Sequence, residues 1–285
     1  MRHSRRVRDN ASTYRSRRVE VSTTHVSITG ADIATDLPAP PEPGADTGWA
    51  LFLDVDGTLL DLADRPDDVH VEPRLHDDLT RLHAKLGGAL ALLSGRRLSQ
   101  LDALFDWNRR VAAGLHGAEL RAPDGSVRIT GDDAAFAQVR LRAAALVAAT
   151  RGVSLEDKGL ALGLHYRHAP AARDAAERIA QTLLQDAGEH YALQRGDHVF
   201  EVKPAGMDKG RALAALMRDA PFRGRTPWML GDDLTDEDAF RRANASGGVS
   251  VIVGSRRPTD AGYALDDPAV VRAWLHALAE STPRE

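Results

Sequence analysis

The feature that most limits what this chain can fold into is a short apolar run that stops on acids. Residues 49–55 (WALFLDV) are apolar up to Asp54, and Asp56, Gly57 and Thr58 follow at once. A run this short, without polar alternation, reads as a strand buried on both faces, the kind found in parallel sheets. Similar runs recur at 89–93 (ALALL), 111–115, 228–230 and 249–253. Between them, residues 75–86, 98–105, 210–217 and 236–243 carry helical spacing. Strand, helix and strand at these intervals imply βαβ units, hence a doubly wound, mostly parallel α/β sheet.

The middle of the chain breaks this pattern. Residues 160–167 (LALGLHYR) and 198–203 (HVFEVK) alternate with period two, as half-exposed antiparallel strands do, and a helical stretch at 171–184 separates them. The expected organisation is an α/β core of residues 48–119 and 202–285, with a small α+β module of residues 120–201 inserted into it. Residues 1–47 stand apart. The first twenty hold seven Arg against Asp9 and Glu20, no apolar h-region of a secretory signal follows, and 37–44 (LPAPPEPG) reads as a stiff linker. These residues are expected to be a disordered leader without chemistry of their own.

Composition removes several classes of function. Cysteine is absent, which excludes disulfides, zinc–cysteine sites and thiol catalysis. No stretch approaches the roughly 18 to 20 apolar residues of a membrane-spanning helix. A net charge of −4 gives no sign of a nucleic-acid partner, and no coiled-coil seam signals self-association, so a monomer is expected. Of 37 basic residues only Lys85, Lys158, Lys203 and Lys209 are lysines. A chain that otherwise uses Arg keeps a compact ammonium where a planar guanidinium does not serve.

Four segments at the ends of expected strands or the starts of expected helices carry candidate chemistry. Asp54 and Asp56 close the first strand, where α/β sheets bind ligands, and Gly57 permits a sharp turn. Two converging carboxylates are tolerated around a divalent cation or with one protonated; a polar turn ending a strand is the plainer reading. Ser94, Gly95 and Arg96 close the 89–93 run, where Ser94 suits an N-cap, and a helix start also suits an anion. Asp208-Lys209-Gly210 precedes the 210–217 helix. Asp232, Asp233 and Asp236 follow the 228–230 run, placed to complete a site for a hard cation. Glu237 and Asp238 read as a solvated helix start.

In this order and at these places, the four segments resemble the haloacid dehalogenase superfamily of phosphohydrolases. The resemblance implies that Asp54 is the nucleophile and Asp56 the general acid/base. It further implies that Ser94 and Lys209 hold the transferring phosphoryl group, with Gly95 and Arg96 beside it. Mg²⁺ would be bound by Asp54, the main chain of Asp56 and Asp232, with Asp233 and Asp236 in support. The segments 53–60 (LDVDGTLL), 114–119 (GLHGAE), 156–159 (EDKG), 164–167 (LHYR), 201–209 (EVKPAGMDK) and 231–237 (GDDLTDE) are similar to the trehalose-6-phosphate phosphatase family. That likeness spans residues 49–278 and implies a cytoplasmic enzyme whose inserted module is a cap gripping the sugar. Glu156, Lys158 and Glu201, with Lys203 assisting, would contact the disaccharide, and His116 and Glu119 would lie at the junction of core and cap. Period-two spacing places Glu156 with Lys158, and Glu201 with Lys203, on one face, where by spacing alone surface ion pairs are the plainer account and the family likeness favours sugar contacts. Other capped sugar-phosphate phosphatases share the core. A regulatory domain without the nucleophile is the remaining reading, opposed by the presence of Asp54, Asp56, Ser94, Lys209 and Asp232.

Overall fold

A computed structural model describes residues 37–43, 48–63, 69–131, 133–196 and 198–281, all within one compact unit of residues 36–285. Apart from 37–43, the expected leader lies outside the described residues. Seven helices and twelve strands follow one another among the described residues. The first half of the larger layer comprises β1 (Trp49–Leu53), α1 (Pro73–Lys85), β2 (Leu90–Leu93), α2 (Leu98–Phe105), β3 (Ala112–Gly114), β4 (Glu119–Arg121) and β5 (Val127–Ile129). Its second half comprises α5 (Lys209–Leu216), β10 (Thr226–Gly231), α6 (Glu237–Ala245), β11 (Val249–Val253), β12 (Tyr263–Leu265) and α7 (Pro268–Glu280). Between them lie α3 (Asp133–Ala148), β6 (Ser154–Asp157), β7 (Leu162–His165), α4 (Arg173–Ala187), β8 (Tyr191–Gly196) and β9 (Val199–Pro204).

The eight strands of the larger sheet are ordered β12-β11-β10-β1-β2-β3-β4-β5, parallel from β12 to β3. Strand β1 is central and every one of its residues is buried, as its unbroken apolar sequence requires. Helices close the faces: α1 packs beside α7, and α5 beside α6. Local chemistry sets their ends. Asp208 caps α5 by accepting from Arg211 N at 2.7 Å, and Asp267 caps α7 ahead of Pro268 at the first helical position. The two parallel neighbours of β1 carry the acids and hydroxyls of β1, β2 and β10 to the same sheet edge.

The smaller sheet is antiparallel, ordered β6-β7-β9-β8, with α3 and α4 on one face. Leu162, Leu164, Phe200 and Val202 pack there with Phe136, Ile179 and Leu183. The α/β class is as expected, with two differences in detail. Residues 119–129, most of which fall in the expected insert, form a hairpin on the edge of the larger sheet. The smaller sheet also runs past 201, to Pro204. Helix α3 and strands β6 and β8 carry no clear periodicity: α3 is alanine-rich with apolar residues all round, and β8 mixes Leu, Gln, Arg and Gly.

The Pro-rich stretch differs from a free linker. Leu37 packs against the main core, and the carbonyl of Pro38 accepts from Ala264 N at 3.0 Å, closing the outer edge of β12. A chain beginning at Gly44 is therefore expected to melt about 2–4 °C below one beginning at Leu37, the effect of roughly 1 kcal/mol in a domain this size. Equal melting temperatures by differential scanning calorimetry would show the contact to be energetically idle.

Candidate active site

Strand β1 ends at Leu53, and the chain turns before the acids diverge. Asp54 N donates to Leu230 O at 3.0 Å, which anchors the turn to β10. The Asp54 carboxylate is buried and accepts from Lys209 Nζ at 2.5 Å; the same ammonium donates to Asp236 at 2.7 Å. Lys209 is 2% exposed. Burial opposes its charge, but the carboxylates of Asp236 and Asp54 outweigh burial and raise its pKa. Asp54 is raised well above the carboxylate range by burial and by repulsion from Asp236 and Asp232, only partly offset by Lys209. Asp232 is pushed up to about 7, first by burial and then by Asp236.

Asp54, Asp232 and Asp236 bring one oxygen each within 4.8 Å of one another. Three carboxylates facing one ammonium leave two formal negative charges, the complement of one divalent cation. The donors are all oxygen, which suits a hard ion, and burial together with mutual repulsion, the causes that raise Asp54 and Asp232, is what a bound cation offsets. Gly57 makes the approach possible. Its φ is +81°, and a Cβ there would lie 2.1 Å from an Asp232 oxygen. Asp236 also binds the turn itself, accepting from Asp232 N at 3.1 Å and Asp233 N at 3.0 Å.

Asp56 does not share this cluster. The strand has already ended, so its carboxylate swings away to a two-pronged pair with Arg96, at 2.7 and 2.6 Å, and stays one-third exposed. Ser94 is buried but caps no helix: α2 begins only at Leu98, and Ser94 Oγ accepts from Arg96 N at 3.1 Å. The 94–98 loop is zipped to residues 114–116 by Leu115 N to Arg96 O at 2.9 Å and His116 N to Ser94 O at 3.0 Å. Leu115 and His116 are held at φ +49° and +55°, strained conformations for such side chains, and the His116 ring lies over Gly95, where a Cβ would meet it at 2.9 Å.

The smaller sheet meets the core through charge. Glu201 accepts from Lys158 at 3.1 Å and pairs with His116 Nε2 at 3.0 Å, joining the two layers. Burial works against the Glu201 anion, yet Lys158 and His116 outweigh it and lower its pKa. Burial lowers the pKa of His116, an effect Glu201 only partly reverses, and its Nδ1 is buried without a partner. Glu156 pairs with His165 at 2.8 Å and lies 3.7 Å from Lys158. Lys203, expected to assist at the sugar, and Glu119, expected at the junction of core and cap, each bind nearby backbone. Lys203 donates to Met207 O at 2.7 Å, and Glu119 accepts from Leu98 N at 2.7 Å, fixing the start of α2. Asp233 accepts from Leu234 N at 2.6 Å, and its carboxylate faces Gly196 at the end of β8. Glu237 is not solvated; it is buried against Arg256 and Asp260 N, whereas Asp238 is exposed and pairs with Arg241.

The sequence profile of the family described as Trehalose-phosphatase matches residues 52–269. The chain belongs to the trehalose-phosphatase family. A probable trehalose-phosphate phosphatase of Sinorhizobium fredii (strain NBRC 101917 / NGR234) is 44% identical over 232 residues, covering 81% of this chain and 88% of the relative. The trehalose-6-phosphate phosphatase of Escherichia coli (strain K12) is 42% identical, covering 84% and 88%. The C-terminal domain of Candida albicans trehalose-6-phosphate phosphatase has the same fold, with a TM-score of 0.72 at 24% identity over 85% of this chain and 98% of that one. Two residues given no role in the sequence analysis, Thr58 and His165, hydrogen-bond to carboxylates of these clusters. Thr58 Oγ1 lies 3.4 Å from both Asp54 and Asp232, and its place directly after the Asp54–Gly57 segment was the available signal. His165, one residue of an alternating strand, offered none.

Replacing Lys209 by Met strips the countercharge from Asp54 and Asp236. A loss of about 3–5 kcal/mol is expected in urea denaturation without divalent cations, the usual cost of breaking a buried pair from one side. A loss below about 1 kcal/mol would mean that the two carboxylates do not depend on the ammonium.

Proposed function

We propose that the chain hydrolyses trehalose 6-phosphate to trehalose and inorganic phosphate, with Mg²⁺ and through a phosphoryl group carried on Asp54. The observation that carries this reading is the buried Asp54–Lys209–Asp236 set beside Asp232 in a member of the trehalose-phosphatase family. Asp54 and Asp232, with the main-chain carbonyl of Asp56, would hold Mg²⁺. When bound, the ion supplies positive charge against the phosphate oxygens.

The chain's own residues supply the rest. Lys209 orients the Asp54 carboxylate and offsets the charge that opposes its approach to phosphorus. Asp54 attacks, the bond from phosphorus to the sugar oxygen breaks, and Asp56 gives that oxygen a proton. Asp56 then takes a proton from the water that cleaves the acyl phosphate, releasing phosphate and restoring Asp54. Arg96 holds Asp56 before substrate arrives; the incoming phosphate offers Arg96 a second anion, freeing Asp56 to face the leaving oxygen. Ser94, buried just after β2, would donate its hydroxyl to the phosphoryl oxygens.

Residues 133–204 act in this reading as the cap, with Glu156, Lys158 and Glu201 addressing sugar hydroxyls. Lys158 supports it: it donates to Glu201 at 3.1 Å, and the same carboxylate pairs with His116 of the core, so this cluster lies where the two layers meet. Phosphate release from trehalose 6-phosphate, sucrose 6-phosphate, glucose 6-phosphate and an aryl phosphate tests the assignment. Strong preference for the first, abolished by EDTA, is expected. Activity on the aryl phosphate alone would keep the chemistry and overturn the substrate. Asp54→Asn should fall to less than about a hundredth of the wild-type rate, because an amide is a poor nucleophile; retention above about a tenth would exclude Asp54 as the phosphoryl carrier. Lys158→Ala should reduce kcat/KM on trehalose 6-phosphate by about tenfold or more and leave the aryl phosphate nearly unchanged. Equal loss on both would place Lys158 in the fold rather than in recognition.

A further inference from the structure

The smaller sheet presents two chemically opposite faces. Leu155, Leu162, Leu164, Leu193, Phe200 and Val202 pack towards α3 and α4. Side chains alternate along a strand, so the other face carries their neighbours. The register sets four of these in one row across the whole sheet: Glu156 opposite Gly163, Gly163 opposite Glu201, and Glu201 opposite Gln194. Glu156 and Glu201 have partners already described. Gly163 keeps the floor between them open, since a Cβ there would meet His165 Nε2 at 3.0 Å and Glu156 Oε2 at 3.3 Å.

Gln194 completes the row and has no such account. It is half-buried, and its side-chain amide has no hydrogen-bond partner among the described residues. Two residues on, a Cβ at Gly196 would lie 3.9 Å from the Asp233 carboxylate, so this end of β8 lies beside the 232–236 turn of the core. We propose that Gln194 is a specificity-determining residue that hydrogen-bonds the hydroxyls of the sugar, an inference that rests on the sugar-phosphate reading above. The chemistry of the row supports it. Ionised Glu201 only accepts and Lys158 only donates, whereas each sugar hydroxyl does both. A primary amide offers two donors and an acceptor from one planar group, without a charge to compete for the phosphate.

The test is steady-state kinetics of the full chain with Mg²⁺, on trehalose 6-phosphate and on p-nitrophenyl phosphate. Gln194→Leu keeps the bulk and removes the amide. Its kcat/KM on trehalose 6-phosphate is expected to fall about tenfold, the effect of losing one or two hydrogen bonds to substrate, with the aryl phosphate within twofold. Arg195→Ala is the control on the same strand. Its side chain leaves by the opposite face to pair with Glu177 at 2.7 Å, so both rates should stay within twofold of wild type. An unchanged trehalose 6-phosphate rate in Gln194→Leu, or an equal fall on both substrates, would overturn the assignment while leaving the proposed function intact. A wild-type enzyme without preference for trehalose 6-phosphate would overturn the substrate reading and this inference with it.

Discussion

The buried ammonium of Lys209 is the interaction on which the site depends. It sits between Asp54, at the end of the central strand, and Asp236, which in turn holds the backbone of the 232–236 turn. One side chain thus ties the first residue of α5 to the ends of β1 and β10. Without it, two buried anions would face each other across a medium that screens poorly, and the turn carrying Asp232 would lose its anchor. A guanidinium in its place would be too broad to sit between oxygens 2.5 and 2.7 Å away. This explains why a chain so dominated by Arg retains lysine here.

The same principle, charge placed where water is excluded, joins the two layers. Glu201 lies on the smaller sheet and receives His116 from the core and Lys158 from its own layer. His116 reaches it only because the 115–117 backbone is held in a left-handed conformation, zipped to the 94–98 loop. The strain is therefore spent on aiming one ring across the junction. A sheet face lined with Glu156, Gly163, Glu201 and Gln194 is polar and partly buried, while its reverse is packed with Leu, Val and Phe. That asymmetry suits a hydroxyl-rich ligand, and its polar side is the one whose Glu201 reaches the core.

Much of this was legible in residue order. The unbroken apolar runs announced buried parallel strands because a strand covered on both faces has no position where a polar side chain can reach water. The acids after 49–53 and 228–231 announced the site because strand ends are where an α/β sheet opens to ligand. Less legible were elements whose periodicity is masked: α3 is apolar all round, and β8 alternates too weakly to mark an inner face. Glu237 read as solvated and is buried, because Arg256 arrives from a loop that follows β11. The backbone partners of Glu119 and Lys203, Leu98 N and Met207 O, could not be read from residue type or spacing.

The residues alone determined the sheet type, the strand ends that carry the chemistry, and the rarity of lysine that marked Lys209. Hydrophobic periodicity and turn chemistry are local, so they survive in a linear reading. Only the tertiary structure decided how the acids are shared out. Only Val55 separates Asp54 from Asp56, yet the strand has ended at Leu53 before either and the chain is turning. One carboxylate is buried against an ammonium, and the other, one-third exposed, pairs with a buried guanidinium. Spacing cannot fix that division, because it depends on where the backbone stops pairing and on which cation, distant in sequence, occupies each side of the turn.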